Sequence, residues 1–156
     1  VTFGKFRQAG LVLAIVPLAL FGGMLALNVR GMTLNVSSAV GFIAMFGLSI
    51  QNGIIMVSQV NGLRRGGMEL RKSVIEGARQ RFRPILMTSV TTILGLFPAS
   101  LATGIGSDVQ RPLATVIVYG LMFSTLISMF LLPVFYYLVE NNVLNKKKND
   151  EKEYTI

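Results

Sequence analysis

The chain has 156 residues, of which 52% are hydrophobic and 14% charged, with a net charge of +8 and a mean hydropathy of +0.61. A soluble domain carries about 25% charged residues, so this composition excludes one. Cysteine and histidine are both absent, which removes disulfides, thiolate and imidazole metal sites and histidine-based acid–base catalysis together. No constellation for an enzyme is left, and no cofactor is expected.

The charges are clustered and leave uncharged runs at Ala9–Val29, Gly31–Leu63, Pro84–Ser107 and Pro112–Val139. At 1.5 Å of rise per residue, a helix over 9–29 spans about 31 Å, close to a hydrocarbon thickness of roughly 30 Å. A cleavable signal peptide is the competing reading of this first run, since Lys5 and Arg7 precede it. It is too long for that and lacks a small-x-small cleavage site. Residues 1–8 read as a cytoplasmic lead-in, and because the chain opens on Val1 rather than Met, an upstream part is expected.

The second run must hold a turn as well as a helix, so the membrane helix is placed at 34–60, after the polar Arg30-Gly31-Met32-Thr33 stretch. Gln51 and Asn52 fall near its middle, where unpaired amides are costly and need partners. A hydrogen bond to a neighbouring helix is the structural account of them. Thr88 and Thr92 are the candidate partners, although threonine also bonds its own helix backbone.

Residues 66–83 follow Gly66-Gly67 and repeat Leu70, Val74, Ile75, Ala78 and Phe82 at helical spacing among Arg71, Lys72, Arg79 and Arg81. This predicts an amphipathic helix on the cytoplasmic face that touches anionic lipid, stopped by Pro84 where the next membrane helix begins. That helix is placed at 84–103, a periplasmic loop at 104–112 and a fourth membrane helix at 113–139. The tail, 140–156, balances four basic against four acidic residues with little apolar content, and is expected to be disordered.

Orientation follows from the basic residues, which are retained on the cytoplasmic side. With both termini inside, thirteen lie on cytoplasmic segments and two, Arg30 and Arg111, on the outer connections. The excess of Lys and Arg therefore sets topology and gives no support to nucleic-acid binding. The eight Met residues are scattered through apolar runs and are expected to pack rather than bind a soft metal. Small residues mark helix-packing faces: Ala19 and Gly23; Ala44 and Gly47 with Gln51; Thr88, Thr92, Gly95 and Ala99; Gly120, Ser124 and Ser128. Pro17, Pro98 and Pro133 are expected to kink their helices. No Asp, Glu, Lys, Arg or His lies within the four spans, so a proton-driven device built on them must share its titrating group with another segment.

Three segments carry a family resemblance over roughly Phe3 to Glu140. They are Val40-Gly41-Phe42-Ile43-Ala44 leading to Gln51-Asn52-Gly53, then Arg81-Phe82-Arg83-Pro84-Ile85-Leu86-Met87-Thr88, and Gly104-Ile105-Gly106-Ser107-Asp108-Val109-Gln110-Arg111-Pro112-Leu113-Ala114-Thr115. Together they resemble the resistance-nodulation-division (RND) transporters, in particular the heavy-metal-efflux branch. The resemblance implies an all-α integral membrane fold whose four helices are the last four of twelve. It also implies a homotrimer in the bacterial inner membrane, docked to a periplasmic adaptor and an outer-membrane channel. Proton antiport would drive export, with the acidic relay residues on an earlier helix.

By the same resemblance, Gln51 occupies the position of a relay lysine in the drug-exporting branch, beside Asn52, which matches. A neutral amide cannot switch an ion pair, and this departure weakens a drug-exporter reading. Thr88 resembles a hydroxyl that supports the relay, Arg81 a basic residue at its cytoplasmic entrance, and Thr92 lies one turn beyond Thr88. The implied function is a metal-cation exporter. The alternatives are a drug or amphiphile exporter of the same superfamily and a stand-alone four-helix membrane scaffold.

Overall fold

The computed structural model describes residues 2–153, with side chains from Phe6 onward. It contains four helices: α1 (Thr2–Val29), α2 (Val36–Arg65), α3 (Leu70–Ser100) and α4 (Ser107–Glu153). Each is long and apolar enough to cross a membrane. Short connections force consecutive helices to run antiparallel, so Arg7, Arg64, Leu70 and Glu140 gather at one end of the bundle. Arg30, Asn35, Ser100 and Ser107 gather at the other.

The connections are built from local chemistry. Gly31 and Gly67 have φ of 65° and 87°, a left-handed backbone that glycine adopts without a Cβ penalty. Asn35 caps α2 reciprocally with Ser38: its side chain accepts from the Ser38 amide at 2.9 Å, and Ser38 Oγ accepts from the Asn35 amide at 2.9 Å. This satisfies amides that the start of a helix leaves without partners. At the head of α4, Ser107 Oγ donates to the Gly104 carbonyl at 2.7 Å, and Asp108 stands in the first turn, where the helix dipole favours an anion.

α4 is the centre of the bundle and packs on α1, α2 and α3, whereas α1 and α3 do not pack on each other. In lipid such contacts are driven by close fit rather than by expulsion of water, so small residues decide where backbones approach. A Cβ on Gly53 would lie 2.8 Å from Val12 Cγ1, one on Gly77 2.7 Å from Val60 Cγ2, and one on Gly120 would collide with Met45 Sδ. Val12, Ile15, Met56, Val57, Val60, Val74, Ile85, Leu132 and Tyr136 form the buried cluster toward the Arg64 end.

Several boundaries differ from the sequence reading: α2 runs on to Arg65, α3 ends at Ser100, and α4 starts at Ser107, inside the stretch placed as the loop 104–112, where the Ser107 hydroxyl closes onto the Gly104 carbonyl. The segments placed at 66–83 and 84–103 are one continuous helix through Pro84. Proline removes one backbone hydrogen bond, but packing holds α3 on both sides of it, through Val74 and Gly77 before and Ile85 and Ser89 after. The tail placed at 140–156 is helical to Glu153. Its Lys and Glu residues are good helix formers, and Lys146 with Asp150 and Lys147 with Glu151 stand at i,i+4. Pro17, Pro98 and Pro133 likewise lie inside unbroken helices. Tyr154–Ile156 and the side chains of the lead-in up to Lys5 lie outside the described residues.

Candidate functional site

Along α2, Leu48, Gln51, Asn52 and Ile55 follow one another at helical spacing on a single face. Along α3, Arg81, Ile85, Thr88 and Thr92 do the same. The two rows meet across a groove of about 290 Å³, closed behind by Leu121 of α4. All five residues singled out in the sequence, Gln51, Asn52, Arg81, Thr88 and Thr92, line it.

Of the two arrangements open to the threonines, the bond to their own helix is the one observed. Thr88 Oγ1 donates to the carbonyls of Pro84 and Ile85, at 3.1 and 3.0 Å, and Thr92 Oγ1 donates to the Thr88 carbonyl at 2.9 Å. Both hydroxyls are thus spent on their own helix and do not reach the amides of α2. A threonine that back-bonds in this way satisfies its hydroxyl locally, so proximity across the groove does not make a pair. Gln51 is exposed and Asn52 half-buried, and among the described residues neither side chain has a hydrogen-bond partner. Arg81, the one charged residue of the groove, donates through Nη2 to Gln59 Oε1 at 3.0 Å. That bond ties α3 to α2 beside the groove.

The groove combines two amides, three hydroxyls and one guanidinium, with no titrating carboxylate. It is equipped to receive a carboxylate and not to supply one. No cluster of three or more His, Cys, Asp or Glu that could hold a metal ion occurs among the described residues.

Other polar contacts were not singled out from sequence. Ser49 with Ser124 and Ser89 with Thr125 form buried hydroxyl pairs at 2.7 Å, holding α2 and α3 to α4. At one end, Arg30 Nη1 donates to the Ser100 carbonyl and to Thr115 Oγ1, each at 2.9 Å. At the other, Gln8 and Asn61 exchange amide hydrogen bonds of 3.0 and 2.8 Å, Tyr136 donates to Asn61, and Arg64 pairs with Glu140 at 3.0 Å. A pattern for part of this was present: Ser38, Gly41, Met45, Ser49 and Gly53 recur every three or four residues and are all buried.

Four apolar helices with their polar groups turned to one another and to a lateral groove define a polytopic membrane module. The model of the AcrB/AcrD/AcrF family matches residues 1–140, and the chain belongs to that family. It is 41% identical, over 98% of its length, to the cobalt-zinc-cadmium resistance protein CzcA of Cupriavidus metallidurans. It is 34% identical, over 92%, to the toluene efflux pump membrane transporter TtgB of Pseudomonas putida. The crystal structure of a heavy metal efflux pump superposes with a TM-score of 0.78 at 56% identity, over 84% of this chain and 14% of that one. The chain spans 14% of the length of both curated relatives.

Proposed function

We propose that the chain is the last four-helix part of the membrane domain of a proton-coupled exporter of heavy-metal cations. It sits in the bacterial inner membrane with both termini cytoplasmic, as the thirteen-to-two split of basic residues favours. On this reading the permease works as a homotrimer with a periplasmic adaptor and an outer-membrane channel, and its acidic relay residue comes from a helix outside this segment.

The observation that carries the proposal is the pair of unpartnered amides, Gln51 and Asn52, in an open groove that ends at Arg81. An amide both donates and accepts. Facing a carboxylate, it donates to the ionised form and accepts from the protonated one, so the acid keeps a hydrogen bond on either side of a proton transfer. Arg81 favours the ionised form by its charge, and Gln51 adds no second cation to compete. The metal-cation reading is favoured over a drug exporter by the neutral Gln51 and by the greater identity to the metal-resistance relative.

Two variants of the complete permease test this. Gln51→Leu should lower metal efflux by more than it lowers the melting temperature in detergent, because the amide holds no hydrogen bond among these four helices. Thr88→Val should reduce efflux at equal expression and insertion. Undiminished metal resistance in both variants would end the assignment of the groove to the proton path.

A further inference from the structure

A second groove, about 650 Å³ in volume, lies between the first half of α3 and the last third of the α4 membrane span. Ile75 and Ala78 form one wall and Phe130 and Val134 the other, with Pro133 at the back. Ile75, Phe130 and Val134 are each more than half exposed on this side. Its volume lies in the range of pockets that take small molecules, roughly 300–1,000 Å³.

The polarity of the groove runs one way. Arg71 and Tyr137 stand at the Arg64 end of the bundle, and the lining beyond them is apolar. Lys72 and Arg79 flank Arg71 on α3. At 3.6 residues per turn, Glu69 and Glu76 fall on the opposite side of that helix, and Glu76 accepts from Gln80 there. Glu140 on α4 is turned away to Arg64. No carboxylate is left to neutralise Arg71 within the groove.

We propose that this groove is a binding site for one anionic phospholipid. An acyl chain lies along Ala78, Phe130 and Val134, and the phosphate is held by the Arg71 guanidinium beside the Tyr137 hydroxyl. A guanidinium presents a planar fork that fits phosphate oxygens, and tyrosine is at home at headgroup level, where one end of its ring is apolar and the other wet. Charge decides the class of lipid. Arg71 is the one charged residue of the lining and no carboxylate stands beside it, which suits the anionic cytoplasmic leaflet. The inference needs the membrane topology of the proposed function and not its metal-export chemistry.

Photolabelling of the complete permease separates the two. In phosphatidylcholine nanodiscs doped with phosphatidylglycerol that bears a photoreactive acyl chain, label should map to peptides containing Ala78 or Phe130–Val134. Arg71→Glu should cut it by about fivefold, the effect of losing one basic contact at an anionic surface. Arg71→Lys and Lys72→Glu should retain most of it, the first because it keeps the charge and the second because it lies off the groove. If Arg71→Glu fails to fold, comparison of the two headgroups on the unaltered protein decides. Equal labelling by a photoreactive phosphatidylcholine overturns the proposal. So does absence of label from both stretches, which would mean that a helix outside this segment fills the groove. Neither outcome bears on metal transport.

Discussion

Gly120 and Gly47 are both glycines inside membrane helices, yet they stand in opposite situations. A Cβ on Gly120 would strike the Met45 sulfur, whereas one on Gly47 would meet nothing within 4 Å. Gly120→Leu should therefore destabilise the four-helix unit by about 1–3 kcal/mol, the usual cost of overpacking a filled core. Gly47→Leu should leave it unchanged, with thermal unfolding in detergent as the measurement. The sequence marked both positions, because small residues at helical spacing signal close approach. They do not say what approaches. The α4 set, Gly120, Ser124 and Ser128, is buried within this chain, while Gly47 and Gly95 face away from the other described helices. The same limit explains Gln51, Asn52, Thr88 and Thr92. That the amides and threonines stand near one another was expected from the cost of mid-span amides and from the family resemblance, but their hydrogen bonds were not legible, since a threonine's choice between its own backbone and a neighbour depends on a distance that no pattern encodes.

Helix number and order were legible because the bilayer sets a minimum length for an apolar run. Ends were less so. The sequence drew boundaries at charge clusters and at Pro84, where solvent contact and a missing amide argue for a break. Tertiary packing overrode the proline in α3, and favourable side-chain spacing carried α4 past Val139. α4 is 47 residues long, about 70 Å of helix, more than twice what a bilayer core requires. Where it leaves the span, Glu140 is held by Arg64 while keeping only 8% of its side-chain surface, against 28% for the arginine. Replacing Glu140 with Ala should lower stability by about 1 kcal/mol, discounted for the partial exposure of Arg64. Raising the salt concentration should narrow the gap between variant and parent, since the attraction is screened. Equal melting temperatures at low salt would show that the pair contributes nothing.

At the scale of the whole molecule, the bundle is closed around α4 and open beside α2 and α3. The open side carries Gln51 and Asn52, amides that bulk lipid has no means to satisfy, and Gly95, whose missing Cβ leaves room for a close neighbour. On the function proposed above, this side faces the rest of the permease. Gly95→Leu should accordingly leave the unfolding of the four helices as it was but weaken their association with the preceding helices. Co-purification of the two parts expressed as separate chains measures this, and undiminished recovery would place the joining surface elsewhere.

The central position of α4 also fixes an order of events at the ribosome. Translation delivers α1, α2 and α3 first, and of these α1 and α3 do not touch, so until the final helix emerges they form an open chain of neighbours. Arg30, Ser49 and Ser89 wait without the hydroxyls of Thr115, Ser124 and Thr125 for the segment that supplies them. α4, made after the other three, is the keystone of the arch. A product that stops short of Pro112 would leave those groups without their partners on α4.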